Sequence, residues 1–96
     1  MNFTLLYESA NSVIEQILLL IKDEGTNETL ESIKQQMIFI RDNSKVGINP
    51  ISALTENKKF TYGILASREF ASPRELELKE NINRVSRIMD NEKSIE

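Results

Sequence analysis

The residues best suited to chemistry in this sequence are the carboxylates Asp23, Glu24, Glu28 and Glu31, which cluster around one predicted loop. Paired carboxylic acids can act as general acid and base when burial moves their pKa values apart. Here they flank Gly25 and the start of a helix, where solvent and the helix dipole keep them ionised. Their spacing also lacks the alternating oxygen ligands of an EF-hand loop. We therefore interpret the cluster as a solvated helix start, and we predict no catalytic residue and no metal site.

The sequence contains no histidine and no cysteine. The commonest general base, the commonest metal ligand and the thiol nucleophile are therefore missing, as is any disulfide. No GxGxxG or Walker-type pattern surrounds Gly63, so a phosphate-binding loop is not indicated. We predict instead that Gly63 lets a neighbouring helix, or alternatively the backbone of a binding partner, approach closely. An enzyme would have to use carboxylate, Lys, Tyr, Ser and Thr side chains alone, as some enzymes do, and we rank this possibility third, behind two kinds of binding protein. We predict a protein that is not an enzyme and that binds no cofactor.

The charge balance limits the partners that the protein can bind. The 96 residues carry a formal net charge of −3 and 40% of them are hydrophobic, which predicts one soluble domain over residues 1–96. Excess negative charge argues against a nucleic acid or an anionic membrane as the partner. The apolar run at residues 17–21 is far shorter than the roughly 20 residues that cross a membrane. Because the N-terminus lacks a basic n-region, we expect a cytoplasmic protein.

The clearest helix start lies at Ser72. The Ser72 hydroxyl can accept a hydrogen bond from the amide of Glu75, and the Glu75 carboxylate can accept one from the amide of Ser72. Pro73 then occupies the first helical position, where its missing N–H costs nothing. We predict a helix over residues 73–91, followed by frayed residues at 92–96.

Two further amphipathic helices lie in the first half of the chain. Apolar residues recur every three or four positions over residues 4–23, and Gly25 can end that helix in a left-handed conformation. A second helix begins after Thr26 or Asn27, either of which can cap it. The inward-facing residues predicted for these helices are Phe3, Leu6, Ala10, Val13, Ile14, Ile17, Leu18 and Ile21 in the first, and Leu30, Ile33, Met37 and Ile40 in the second.

The middle of the chain is less regular. We expect residues 44–49 to form a loop, and Asn49 and Pro50 to open a short helical turn that ends at Leu54. Residues 56–70 alternate as a strand would, yet they also fit helical spacing, and we prefer a helix because no second strand is available for pairing. The sequence therefore predicts an all-α fold, a small single-domain bundle of four main helices plus a short helical turn.

Three segments resemble a known family, in the same order and with nearly the same spacing. They are residues 34–41 (KQQMIFIR), 63–70 (GILASREF) and 73–76 (PREL). In these segments the sequence resembles a Pseudomonas-type family of type VI secretion immunity proteins that neutralise NAD(P)+ glycohydrolase effector toxins. The likeness spans about residues 30–80, whereas the loop at residues 44–54 differs. The resemblance implies a compact helical protein that binds the toxin domain and blocks its active site, with no catalytic residue of its own.

The resemblance identifies no contact residues, so we predict them from the polar helix faces. Side chains of mixed sign suit a protein interface better than phosphate tracking. The predicted partner contacts are Gln35, Arg41, Arg68, Glu69 and Arg74. The partner that the resemblance implies is a cognate effector toxin domain, with NAD(P)+ glycohydrolysis as the leading activity and ADP-ribosyl transfer as another.

The alternative function is that of a non-catalytic helical adaptor or a regulatory homodimer. Leu19, Leu20, Ile38 and Phe39 add more apolar surface than a small monomeric bundle needs. Self-association through these residues would bury that surface.

Overall fold

A computed structural model describes residues 1–55 and 58–94 of the chain. In this part of the chain the helices are α1 (Phe3–Glu24), α2 (Glu28–Lys45), α3 (Pro50–Ala53), α4 (Tyr62–Glu69) and α5 (Pro73–Ser94). The described residues include no strand, which confirms the predicted all-α fold of four main helices and a short helical turn. The molecule measures about 40 × 24 × 22 Å, so it is elongated along the helix axes.

The four long helices form a ring around one core. α1 packs against α2 and α5, while α4 packs against the same two helices from the opposite side. Short connections join α1 to α2 and α4 to α5, whereas a longer segment that contains α3 joins α2 to α4. The long helices follow the up-down-up-down arrangement of a four-helix bundle. The short α3 contacts α2 near its C-terminus. Most helix termini therefore lie at two ends of the molecule, although α4 begins beside Gln36, midway along α2.

Side-chain caps begin α2, α3 and α5 where the sequence predicts them. The carboxamide oxygen Oδ1 of Asn27 accepts a hydrogen bond of 2.9 Å from the amide of Leu30. Asn27 is therefore the cap of α2, and the other candidate, Thr26, instead donates its hydroxyl to Glu31 over 2.7 Å. Asn49 caps the turn that Pro50 opens, as predicted.

The predicted capping box at the start of α5 is confirmed. Ser72 Oγ accepts from the amide of Glu75 at 3.2 Å, and Glu75 Oε1 accepts from the amide of Ser72 at 3.0 Å. The same carboxylate oxygen also accepts from the amide of Ala71 at 3.1 Å. At the end of α1, Gly25 adopts a φ of 88° as a glycine stop requires, but its ψ of 171° is not that of the left-handed helical conformation that was predicted.

The core contains most of the predicted inward-facing residues, but on α1 Leu20 is buried in place of Leu18. Leu18 was predicted to face inward but is 49% exposed, whereas Leu20 is buried. The reason is that α1 packs against α5 as well as α2, which widens its buried stripe on the α5 side. The buried apolar residues are Leu6, Ala10, Val13, Ile14, Ile17, Leu20, Leu30, Ile33, Met37, Ile40, Tyr62, Ala66, Phe70, Leu78, Ile82, Val85, Ile88 and Met89.

The helix predicted over residues 56–70 is shorter than expected. It begins only at Tyr62, and Glu56 and Asn57 lie outside the described residues. The ring of Phe60 contacts those of Phe39 and Tyr62, with centroids 6.0 and 5.7 Å apart. These contacts hold Phe60 against α2 before the helix begins. The helical spacing of Phe60 in the sequence therefore predicted a helix that starts too early.

Two further predictions need correction. Helix α5 ends at Ser94 rather than at residue 91, whereas the fraying predicted for residues 92–96 stays a prediction, and residues 95–96 lie outside the described part of the chain. Gly63 was predicted to allow close approach of another helix, but a Cβ built at this position would meet no atom within 4 Å. Within the chain itself, therefore, no close contact requires a glycine there.

Candidate partner-binding surfaces

One end of the bundle, here called the acidic end, joins the C-termini of α1 and α4 to the N-termini of α2 and α5. A concavity of about 420 Å³ opens there. It is lined by Asn27, Glu28, Thr29, Glu69, Phe70 and Glu75. Three of these six residues are glutamates, so the concavity presents negative charge to solvent.

Hydrogen bonds keep two of the carboxylates at this end ionised. The pKa of Glu31 is lowered chiefly by its contact with Lys34, whose Nζ lies 2.9 Å from the carboxylate, and further by the Thr26 hydroxyl. The pKa of Glu75 is lowered by the amides of Ser72 and Ala71. Both shifts move the carboxyl groups away from the raised pKa that a general acid needs. The solvated helix start that the sequence predicts is the interpretation that this geometry supports.

Three of the five predicted contact residues lie near the acidic end. Arg68 and Glu69 occupy the last turn of α4, where both side chains are exposed. Arg74, in the first turn of α5, spans two carboxylates of α1, with Nη2 2.9 Å from Asp23 and Nη1 3.4 Å from Glu24. Arg74 therefore already joins α5 to α1, and a partner would share a guanidinium that is engaged within the chain.

The other two predicted contact residues lie on α2. Gln35 is exposed on the outer face of that helix. Arg41 turns toward α1, because its Nη1 lies 3.4 Å from the side-chain oxygen of Asn11, while its Nε pairs with Asp42 at 3.1 Å. The structure therefore places Gln35 on a surface that faces solvent and Arg41 along the seam between α1 and α2.

The five predicted residues do not form one compact patch. Arg41 contacts α1 at Asn11, whereas Arg74 contacts the same helix at Asp23. At 1.5 Å of rise per residue, these two anchor points lie about 18 Å apart along α1. A partner that touched both arginines would have to cover roughly half the length of the bundle.

The opposite end of the molecule, here called the groove end, differs in chemistry. A groove of about 490 Å³ runs between the start of α1 and the end of α2. It is lined by Phe3, Thr4, Tyr7, Ser44, Lys45 and Gly47. Two aromatic residues form one wall, and Lys45 is the charged residue in the set.

Comparison with known proteins decides between the functional classes that the sequence left open. A model of the Tsi6 family matches residues 6–91, which span most of the chain and all four long helices at least in part. The chain belongs to the Tsi6 family. This is a family of type VI secretion immunity proteins, and such proteins are not enzymes. No curated protein and no solved structure matches the chain.

Three further observations on the described residues concern metal sites, buried phenols and membrane spans. No group of three acidic residues among them is arranged to hold a metal ion. The one buried phenol, that of Tyr62, hydrogen-bonds to Ser86 at 3.0 Å, and burial raises its pKa. No helix in the described part of the chain is long and apolar enough to span a membrane.

Gln36 stabilises this Tsi6 fold, although its role was not predicted from the sequence. Gln36 Oε1 accepts hydrogen bonds from the amides of Thr61 and Tyr62 at 2.8 and 2.9 Å. Its Nε2 donates to the hydroxyls of Thr61 and Ser32 at 2.9 and 3.2 Å. Thr61 itself makes no side-chain cap, so a side chain from α2 caps α4. Adjacent Gln35 and Gln36 look alike in sequence, and only the packing of α4 distinguishes them.

Proposed function

We propose that this protein binds a cognate secreted effector toxin domain that acts on NAD(P)+, and that it blocks the active site of that domain. The match to the Tsi6 family over residues 6–91 supports the immunity function. The NAD(P)+ target is proposed from the resemblance of residues 34–41, 63–70 and 73–76 to proteins that neutralise NAD(P)+ glycohydrolases. The bound toxin is inactive in the producing cell, which is thereby protected. We place this encounter in the cytoplasm, where NAD(P)+ is found.

The size of the bundle suits a stoichiometric inhibitor. Its accessible surface is 6157 Å². A specific interface of standard size covers about 800 Å² of each partner, which is roughly an eighth of this surface. The bundle can bury that much without disturbing its core. Inhibition then follows from occupancy, because a bound partner excludes substrate from the pocket or prevents a catalytic loop from closing.

We propose that Gln35, Arg41, Arg68, Glu69 and Arg74 contribute to this interface. Arg68 and Glu69 support the proposal best, because both are exposed and neither forms an ion pair with another described residue. Opposite charges side by side can pair with a complementary set on the toxin and so favour one partner over others. Arg74 contributes less, because its guanidinium is shared with Asp23 and Glu24.

The contacts are tested by reversing charges without changing net charge. We expect the double variant Arg68→Glu/Glu69→Arg to bind the purified effector domain at least 10-fold more weakly, while its far-UV circular dichroism stays that of the wild type. The matched control is Glu80→Arg/Arg84→Glu, on an exposed part of α5 that carries no predicted contact. Unchanged affinity in the first variant would place the interface elsewhere, and lost helicity would show that these side chains are structural.

The function itself is tested with the toxin encoded beside the immunity gene. We expect co-expression to restore growth and to preserve cellular NAD(P)+, and we expect one equivalent of the pure protein to stop NAD(P)+ consumption in vitro. A toxin that kills without lowering NAD(P)+ would contradict the proposed target while leaving the immunity function intact. Failure of the two proteins to co-elute would contradict the proposal as a whole.

A further inference from the structure

The groove end carries a cluster of exposed aliphatic side chains. Val46, Ile48 and Ile51 are 68%, 46% and 36% exposed, and they belong to the segment that joins α2 to α3 and to α3 itself. This same segment includes Gly47, which lines the groove beside Phe3. A patch of apolar side chains next to an aromatic-walled groove is typical of a protein interaction site.

The backbone of this segment is held in place by hydrogen bonds. The carbonyl of Asn43 accepts from the amides of Val46 and Ile48 at 3.2 and 2.9 Å, and the amide of Gly47 donates to Ser44 at 3.1 Å. Gly47 has a φ of 75°, a conformation that a side chain would strain. The next element is anchored by the buried ring of Pro50. The aliphatic side chains are thus presented by an ordered loop, which lowers the entropy that binding would cost.

The charge of the groove indicates what kind of partner surface could bind to it. Lys45 is the charged residue among its six lining residues, whereas the concavity at the acidic end is lined by three glutamates. A complementary partner would place a carboxylate opposite the Lys45 ammonium group. A second copy of this chain fits less well, since a two-fold contact centred on the groove would bring two Lys45 side chains together.

We infer that the groove end anchors the effector domain, by taking an apolar or aromatic side chain of that domain beside a carboxylate that pairs with Lys45. The inference rests on the proposed function and adds to it a surface that the predicted contacts do not include. It is continuous with one of them, because Arg41 lies one helical turn before Lys45 on α2. Aromatic side chains in well-packed pockets supply much of the energy of protein interfaces.

The apolar part of the anchor is tested with uncharged substitutions. We expect Val46→Asn/Ile48→Asn to bind the effector domain at least about 30-fold more weakly than the wild type, measured by titration calorimetry. The matched control is Leu19→Asn, because Leu19 is a similarly exposed aliphatic residue, at 57%, on the outer face of α1. We expect this control to change the affinity less than about 3-fold. All variants are first compared by thermal unfolding.

The charged part of the anchor is tested separately at Lys45. We expect Lys45→Glu to weaken binding more than Lys45→Met does, with a difference that shrinks as salt is added. Lys22→Glu is the control, since Lys22 is also an exposed lysine in the last turn of its helix, but lies toward the acidic end. Equal effects of the two Lys45 variants would overturn the predicted carboxylate.

The outcomes distinguish this inference from the function on which it rests. If the wild type does not bind the effector domain, the proposed function fails. If the wild type binds but Val46→Asn/Ile48→Asn binds equally well, or Leu19→Asn is weakened as much, only the anchor is overturned. If the wild type sediments as a dimer that the groove variant converts to monomer, a second copy occupies the groove, which also overturns the inference.

Discussion

At the scale of single residues, two adjacent glutamines have different roles, since one stabilises the fold and the other faces solvent. Gln36 satisfies two backbone amides at the start of α4, whereas Gln35 faces solvent one position earlier. Buried or half-buried amides that lose their acceptor cost more free energy than the net value of the hydrogen bond. Gln36 therefore belongs to the fold, and Gln35 stays a predicted contact.

Replacing Gln36 tests this division. We expect Gln36→Leu to lower the free energy of unfolding by about 1–2 kcal/mol, because the amides of Thr61 and Tyr62 lose their shared acceptor. The measurement is urea unfolding followed by circular dichroism. The control Gln35→Leu should change stability by less than about 0.5 kcal/mol. Equal losses in the two variants would show that the cap on α4 contributes nothing.

A second residue-scale prediction concerns Gly63. Because a Cβ at this position meets no atom within 4 Å, we expect Gly63→Ala to raise the free energy of unfolding by roughly 0.5–1 kcal/mol. The contrasting variant is Gly47→Ala, where the φ of 75° should make the change destabilising by about 1 kcal/mol. If the stabilised Gly63→Ala protein binds its effector less well, the glycine serves close approach of the partner's backbone. If Gly63→Ala instead lowers the free energy of unfolding, the added methyl group clashes with atoms near α4.

At the scale of elements, helix ends rather than helix interiors hold the chain in register. The connections from α1 to α2 and from α4 to α5 are short, and a side-chain cap closes each of them, Asn27 in the first and the Ser72–Glu75 box in the second. The guanidinium of Arg74 adds a link from α5 to the end of α1. That link is exposed, so we expect it to be worth less than about 1 kcal/mol. The caps contribute more, because they satisfy backbone amides that have no partner within the helix.

The capping box makes a prediction about pH. Since the amides of Ser72 and Ala71 lower the pKa of Glu75, its charged form contributes stability above the unfolded pKa of about 4.3. This contribution is lost as the pH falls from there toward the lower folded pKa. We therefore expect the stability difference between wild type and Glu75→Gln to shrink over that acid range. Unfolding midpoints in urea from pH 7 to pH 3 measure it.

The control for this prediction is Glu80→Gln, which removes a carboxylate from the exposed face of the same helix without touching a cap. We expect its stability difference from the wild type to be smaller than that of Glu75→Gln at pH 7, because no backbone amide loses its acceptor. A difference for Glu75→Gln that did not change with pH would mean that the carboxylate acts only by its shape.

At the scale of the whole molecule, the surface that suggested self-association is mostly used within the bundle. Of the four residues proposed for a homodimer, Leu20 is buried, and Ile38 packs against the core. Phe39 contacts Phe60, and only Leu19 remains largely exposed. Other exposed aliphatic side chains remain, some at the groove end, where Val46 and Ile48 lie, and some elsewhere, as at Leu18, Ile64 and Leu76. The bundle therefore offers a partner two ends of different chemistry, one acidic and one apolar with a lysine.

Binding to the effector should be visible in the stability of the whole bundle. A partner that binds only the folded state adds RT ln(1 + [L]/Kd), which is about 4 kcal/mol when the partner is present at roughly 1,000 times its Kd. We expect the Tm of the protein, followed through a label, to rise with the concentration of cognate effector domain. An unrelated effector domain of the same activity serves as the control. A Tm that does not depend on cognate effector would contradict specific binding.

Local features of this protein could be predicted because they depend on neighbours in the chain. The period of apolar residues in α1 and α2, the cap at Asn27 and the box at Ser72 all act over three or four positions. The same short range explains why the all-α fold was predictable. The resemblance to an immunity family likewise rests on three short segments, which occur in the same order along the chain.

Only the tertiary structure decided which faces remain free. Whether Leu18 or Leu20 is buried depends on α5 packing against α1, and the role of Gln36 depends on α4 reaching α2 from 25 positions away. The separation of Arg41 from Arg74 and the meeting of Phe3 with Lys45 in one groove likewise require the helices to be assembled. Contacts between residues that are distant in sequence produce no periodic pattern of residue types, so a single sequence does not reveal them. Hence a family resemblance could be stated before the fold was known, but the arrangement of the predicted contact residues on the surface could not.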